Sequence, residues 1–300
     1  MKRVLSKMRY VIFGLVLILG VLGIFFSLYI ADIRPPEIEE NGISKEMERK
    51  GNKLMLEMLE AHGIRNWQKI KTAEYTANSS WYGFFGSLGC PWPETDVDLH
   101  YKMEPNSFNI RVEFLNTESK GEVWGIQSWK SYIKKPGQEL LFKENTGIKF
   151  GLSTSHYLTE LPFRIAQAPI KSYAGERERN KKKYLLVYAT WEKAAPHALH
   201  DQYVLWINKE TKLLELAQYT VREGGKFASA WVIYEDYQAI EGVMMPTAFH
   251  NKLTLDKEDY LHRHVYKKIR FNSFDITELR PNDVLLPVGD NKYHSDSLMP

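Results

Sequence analysis

Hydrophobic and polar positions change their period twice along this chain. From Tyr10 to Ala31 there is no period at all. The run YVIFGLVLILGVLGIFFSLYIA holds no charged residue between Arg9 and Asp32. It is long enough to cross a hydrocarbon core of about 30 Å at about 1.5 Å per residue, and it predicts a transmembrane anchor over 10–31. A cleaved secretory signal has a shorter apolar region, about 7–15 residues, with small residues before the cut, where this chain has Tyr29. Residues 32–44, with Pro35-Pro36, read as a short stiff linker. A helical period follows: Met47, Gly51, Leu54, Met55, Met58 and His62 share one face, Glu48, Lys53, Glu57 and Glu60 the other, and Gly63 is the stop.

Beyond Gly63 the period drops to two. KTAEYTANSSWYG places Ala73, Tyr75, Ala77 and Ser79 on one face and Thr72, Glu74 and Thr76 on the other. DVDLHYKMEP, SFNIRVEFLN and GEVWGIQSWKSYIKK continue the alternation, punctuated by Pro105-Asn106 and Pro136-Gly137. HYLTELPFRIAQAPI (156–170) breaks it and predicts a short helix or structured loop. Strands resume at KYLLVYATWE. Then YVLWINKETKLLELAQYT (203–220) predicts a hairpin turning on NKETK, and AQYTVREGGKFASAWVIYEDY another turning at Gly224-Gly225. Two more strands, IEGVMMPTAF and LHRHVYKKIRFNSFDI, complete a series at roughly ten-residue spacing, the mark of an antiparallel meander rather than of βαβ units. The expected fold is mainly β (α+β): a curled antiparallel sheet, which must hide one face and its edges, covered by the helix at 45–62.

The flanks of the apolar run set its orientation. Lys2, Arg3, Lys7 and Arg9 precede it, and Asp32, Arg34, Glu37, Glu39 and Glu40 follow. The amino terminus is therefore expected in the cytoplasm and the main domain outside the cytoplasmic membrane, in single-pass topology. The division is a cytoplasmic tail 1–9, anchor 10–31, linker 32–44, β domain 45–280 and irregular tail 281–300. Composition changes the picture in two ways. Taking the four flanking basic residues from the 40 Lys and Arg leaves 36 against 37 Asp and Glu, a net −1. A near-neutral domain has no electrostatic footprint for nucleic acid. A single cysteine, Cys90, excludes an intramolecular disulfide, so burial alone must hold the domain together.

The helix, AHGIRNWQKIKTAEYT, the meander, LPF, YVLWINKETKLLELAQYT and YEDYQAIEGVMMPTAF, in that order, resemble the outer-membrane lipoprotein-sorting (LolA/LolB-like) superfamily. Tyr234, Asp236, Tyr237, Gly242 and Pro246 carry the later part of the pattern, and the resemblance spans roughly residues 45–275. It implies an open half-barrel sheet whose concave face, plugged by helices, binds acyl chains or similar ligands. It also implies a carrier, sensor or accessory factor of the bacterial envelope that is not an enzyme. On that footing Trp206, Leu214, Leu216 and Trp231 are candidates for an apolar lining, with a filled core as the alternative. A retained anchor departs from freely diffusing carriers and puts cargo ferrying in doubt.

Candidate chemistry is sparse. His197, His200 and Asp201 in HALHD, and His262 with His264 two apart in LHRH, are the only histidine groupings that suggest a metal. No HExxH or comparable spacing supports one, so they read as solvated loop and strand residues, with no metal and no cofactor. Cys90 has no local His, GxSxG is absent, and no Gly-rich phosphate loop is present, which leaves no catalytic residue to name. GERERNKKKY (175–184) reads as a solvated hairpin tip, with lipid headgroups or an acidic partner as the alternative. SSWYGFFGSLGCPWPETD (79–96) is the richer stretch: Trp81, Phe84 and Phe85, with Tyr82, Leu88 and Trp92, are spaced by glycines. It could form a lid over an apolar pocket, an insertion into a membrane leaflet, or a loop tucked on the sheet. Two functions stay open. One is a membrane-tethered domain holding a lipid or other hydrophobic ligand in a cavity. The other is an interaction protein with a packed interior and an exposed apolar patch near 81–92 for an envelope partner. The first is the expectation.

Overall fold

The structure, a computed structural model, describes residues 29–279 and the isolated positions Phe13, Gly20 and Gly23. The anchor expected over 10–31 lies, but for Phe13, Gly20, Gly23 and its last three residues, outside the described residues, as does the tail 281–300. Among the described residues no helix is long and apolar enough to cross a membrane.

The alternating segments form thirteen strands in one antiparallel sheet. They are β1 (Ala73–Trp81), β2 (Asp96–Met103), β3 (Ile110–Phe114), β4 (Val123–Gln127), β5 (Lys130–Lys134), β6 (Leu141–Phe142), β7 (Ile170–Arg179), β8 (Lys182–Thr190), β9 (Gln202–Asn208), β10 (Leu214–Thr220), β11 (Ser229–Ile240), β12 (Val243–Lys252) and β13 (His262–Phe271). Across the sheet the order is β6-β5-β4-β3-β2-β1-β13-β12-β11-β10-β9-β8-β7. Each strand therefore lies beside its neighbour in sequence, except where β1 pairs with β13 in the middle, with Ser79 opposite His264 and Trp81 opposite His262. The sheet is curved and unclosed, with β6 and β7 as its edges. Because those edges are consecutive in the chain, the connection between them must cross one face.

That connection supplies two of the covering helices, α5 (Thr146–Thr159) and α6 (Leu161–Arg164); a third, α2 (Lys45–Ala61), comes from the amino-terminal side, and a short α3 (Ile64–Trp67) follows it. Ser44 caps α2 by accepting from the Met47 N–H at 3.2 Å, and Asn145 caps α5 by accepting from the Ile148 N–H at 3.0 Å. Leu54, Met55, Met58 and Leu59 of α2 meet Leu152, Leu158, Leu161 and Phe163 over the inner face of the sheet. Trp67 stacks on Phe163 with ring centres 4.6 Å apart and is wholly withdrawn from solvent. Each such large apolar side chain contributes roughly 1.5–3 kcal/mol by burial. The inner positions predicted for β1 are as expected: Ala73, Tyr75, Ala77 and Ser79 are buried.

Other details differ from the sequence reading. The break at 156–170 holds the expected short helix, α6, but the helix before it begins ten residues earlier, at Thr146. The charged stretch 175–184 is largely strand: β7 and β8 join through Asn180 and Lys181, at φ 50° and 62°. Residues 32–44 pack against the outer face of the sheet. Ile33 and Ile38 are buried there with Tyr184, Leu186, Tyr188 and Val204, and a short α1 (Pro36–Glu39) sets Glu37 against Arg177 at 2.8 Å. Helix α2 then passes over the edge strand β7, where Gly51 touches the Ser172 and Tyr173 backbone. This covers a sheet edge that would otherwise be open to pairing.

Candidate functional site

In a meander, every second turn lies at the same end. Strands β8 and β9 are joined at one rim by residues 191–201, β10 and β11 by 221–228, β1 and β2 by 82–95, and β3 and β4 by 115–122. The register fixes this, with Thr190 opposite Gln202, Thr220 opposite Ser229, and Ser80 opposite Asp96. The chain also reaches the sheet at this rim. The Ala31 N–H donates to the Lys226 carbonyl at 2.9 Å, the Arg222 guanidinium donates to the Ala31 carbonyl at 2.8 Å, and the Ile33 N–H donates to Gln202 Oε1 at 3.1 Å.

The rim carries a seven-residue helix, α4 (Gly83–Gly89), where the sequence suggested an irregular aromatic stretch. Gly83 starts it at φ +67°, a conformation most residues avoid. The Tyr82 N–H donates to the Leu261 carbonyl at 2.8 Å, and Gly86 lies so close to that carbonyl that a Cβ would stand 2.6 Å from its oxygen. This docking turns the remaining side chains outward. Phe84 is 78 % exposed, Phe85 63 %, Leu88 74 % and Tyr82 44 %. Leu199 and Phe227, on other loops of the same rim, are exposed as well.

Under the ledge runs a chain of buried polar groups from four strands. The Tyr219 hydroxyl accepts from Asn251 Nδ2 (2.7 Å), Asn251 Oδ1 faces His262 Nδ1 (3.2 Å), and His262 Nε2 faces Ser79 Oγ (3.0 Å). Since Asn251 offers its carbonyl, the His262 proton sits on Nδ1 and Nε2 accepts from the Ser79 hydroxyl. Burial, and then His264 nearby, push the His262 pKa well below its ordinary value, so the ring is neutral. Serine, histidine and amide thus stand in the order of a nucleophilic relay. The serine oxygen is nevertheless occupied, because Trp81 Nε1 and Trp92 Nε1 both donate to it, at 3.2 and 3.0 Å. With Ser79 1 % exposed and Trp81 stacked on His262 at 4.1 Å, no face is open for a substrate carbonyl. The relay pins the Trp81–Trp92 segment to the sheet.

The second histidine group is assembled differently from its sequence spacing. His197 and His200 stack with centres 5.0 Å apart and meet Glu192, at 3.4 and 3.1 Å, rather than Asp201. Asp201 instead accepts from the Thr220 hydroxyl and the Arg222 N–H, each at 2.9 Å. The ligand atoms of Glu192, His197 and His200 lie within 4.8 Å of one another, near enough to share an ion. The Leu199 N–H, however, donates to His197 Nδ1 at 3.1 Å. That leaves the proton on Nε2, the nitrogen that faces Glu192, where a metal would need a lone pair.

The apolar residues singled out in the sequence fall into three places. Trp81, Phe84 and Phe85 are at the rim. Trp206 and Leu216 are on the outer face, where Trp206 meets Trp231 edge to face at 5.7 Å. Leu214 points into the core, its N–H donating to His62 Nε2 at 3.0 Å. A register shift between Leu214 and Leu216 separates the last two onto opposite faces. Between helices and sheet, Met58, Leu152, Phe163, Leu205 and Val232 are at most 1 % exposed. An open depression of about 420 Å³ lies away from them, lined by Arg111, Glu113, Tyr132, Lys134 and Glu278. Leu199 and Arg222 were not foreseen; the parity of turns in a meander was the available signal for both.

No family model and no curated protein matches the sequence. Solved structures that this chain is similar to include a LolA superfamily protein from Nitrosomonas europaea (10 % identity, 75 % of this chain and 94 % of that one, TM-score 0.45). A DUF1329 family protein from Desulfovibrio piger is similar over 78 % of this chain and 97 % of its own, at 10 % identity and TM-score 0.49. An outer membrane lipoprotein-sorting protein domain from Vibrio parahaemolyticus has the same identity and coverages, at TM-score 0.47.

Proposed function

We propose that this chain is a membrane-tethered, extracytoplasmic envelope domain that binds a lipid or other hydrophobic ligand, and that it does so on the α4 ledge. The supporting observation is the exposure of Phe84, Phe85 and Leu88 on a helix whose backbone is fixed to the sheet. Contiguous exposed apolar side chains of this size mark an interaction surface. The filled interior supports a ligand outside it rather than an acyl chain lying between helices and sheet. The tether is the run 10–31 read from the sequence, and no catalytic step belongs to this reading.

The packed interior also suits the alternative of a protein-binding surface, and one experiment separates the two. The full chain is extracted in a mild detergent and released from the micelle for native mass spectrometry. Lipid adducts are expected, and they should be lost in a Phe84→Ser/Phe85→Ser/Leu88→Ser variant with the anchor intact. Adducts that are absent, or equal in both proteins, would overturn lipid binding and leave the ledge to a protein partner.

A further inference from the structure

We infer that the sheet stands end-on against a phospholipid bilayer, with the rim formed by α4 and the loops 191–201 and 221–228 as its contact surface. This rests on the lipid-binding reading above and extends it from a ledge to the orientation of the whole domain.

The first argument is reach. The apolar run read from the sequence ends at Ala31, and Ala31 is already bonded to Lys226 and Arg222 on this rim. Ile33 is bonded to Gln202, and the chain continues over the outer face through buried Ile33 and Ile38. No slack chain separates the run from the rim, so a bilayer holding residues 10–31 must lie beside these loops.

The second argument is asymmetry. Tyr82, Phe84, Phe85, Leu88, Leu115 and Leu199 are all exposed and all on this rim. At the other end the turns are polar: Asn180–Lys181, Lys209–Lys212 and Glu241–Gly242 carry none of the exposed large apolar side chains. Leu253, on the β12–β13 loop of this same rim, is exposed too, whereas Leu56, Leu141 and Phe142 are exposed elsewhere without forming such a group. The basic tip at 181–183 also belongs to the far end, away from any headgroup. Charge does not select the rim, since Lys226 sits near Glu223, Lys193 beside Glu192, and the β12–β13 loop carries Asp256, Glu258 and Asp259 beside Lys257. The contact is therefore apolar and aromatic, the composition found where protein meets the membrane–water boundary.

Nitroxide accessibility on the full chain tests the orientation. Cys90 is replaced by Ser, and single labels are placed by Phe85→Cys, Leu199→Cys and, on the far hairpin, Glu210→Cys. All three native side chains are exposed, so labelling leaves the core intact. Each protein is reconstituted in vesicles of phosphatidylethanolamine with a minority of phosphatidylglycerol. Labels at 85 and 199 are expected to collide with oxygen several-fold more, relative to a water-soluble nickel chelate, than the label at 210. Equal nickel access at all three sites would overturn the inference. Oxygen preference at 85 alone would also overturn it while leaving lipid binding on α4 intact. Spin–spin broadening between copies at 199 would assign the rim to a second copy of the chain and overturn it too.

Discussion

His62 caps α2 from inside the core. Its Nε2 accepts the Leu214 N–H at 3.0 Å, and its ring sits edge-on to Tyr237 at 5.1 Å. Burial lowers its pKa from 6.5 to about 4, against a small opposing effect of the Met244 carbonyl. The unfolded chain therefore binds a proton that the folded chain refuses between those two values. Stability is whole above pH 6.5 and falls as the pH drops toward 4, by an amount on the order of 3 kcal/mol. Denaturant midpoints measured from pH 7 to pH 4 should fall accordingly. His62→Gln, which keeps an acceptor for Leu214, should flatten part of the slope; buried His262 and His264 supply the rest. Glu160 is the mirror case. Burial works to raise its carboxyl, but Arg164 and His156 beside it outweigh this and hold it below the ordinary value. Glu160→Gln would leave the Arg164 guanidinium buried and uncompensated, and unfolding measurements at neutral pH should register a loss of about 3–5 kcal/mol. His62 was placed on the inner face from its spacing alone. The Glu160–Arg164 pair was not noticed, because an i,i+4 charge pair in a Pro-interrupted segment looks like solvated surface until the fold buries it.

Helix α2 shows how packing reverses a local preference. Glycine to alanine inside a helix ordinarily stabilises by about 0.5–1 kcal/mol. At Gly51 the added Cβ would lie 2.7 Å from the backbone of Ser172 and Tyr173, so the helix would have to move off the β7 edge. Gly51→Ala is expected to destabilise by about 1–3 kcal/mol, and an unchanged or raised melting temperature would show that α2 does not seal this edge. The turn of the hairpin at 203–220 is legible: Asn208 Oδ1 accepts from the Glu210 and Thr211 N–H groups at 2.9 and 3.1 Å, which is what an asparagine at the head of a turn does. Strand β7 was less legible because its buried outer positions are small, Ser172 and Ala174, its inner ones include Lys171, and its register shifts between Tyr173 and Glu176. An edge strand under a helix needs no large apolar residues of its own.

For the molecule as a whole, the apolar ledge and the packed interior belong together. A body that buries its core through α2, α5 and α6 does not need Phe84, Phe85 or Leu88 for stability. The triple serine variant should therefore unfold within about 0.5 kcal/mol of the parent, measured by denaturant titration, while losing bound lipid. A large loss of stability would mean that α4 is part of the core and that its exposure has another cause.

The sequence by itself determined the meander, its turns, the inner face of β1, the covering helix and the resemblance that follows from their order. All of these rest on period and turn chemistry, which act within a few residues. Tertiary structure decided which of Leu214 and Leu216 faces the core, since the register shift between them sends the two to opposite faces. It also decided that Ser79, Asn251 and His262 share one hydrogen-bonded chain, and that Ala31 and Phe85 come to the same rim. Contacts between residues so far apart in the chain depend on the pairing of β1 with β13, which no local pattern encodes.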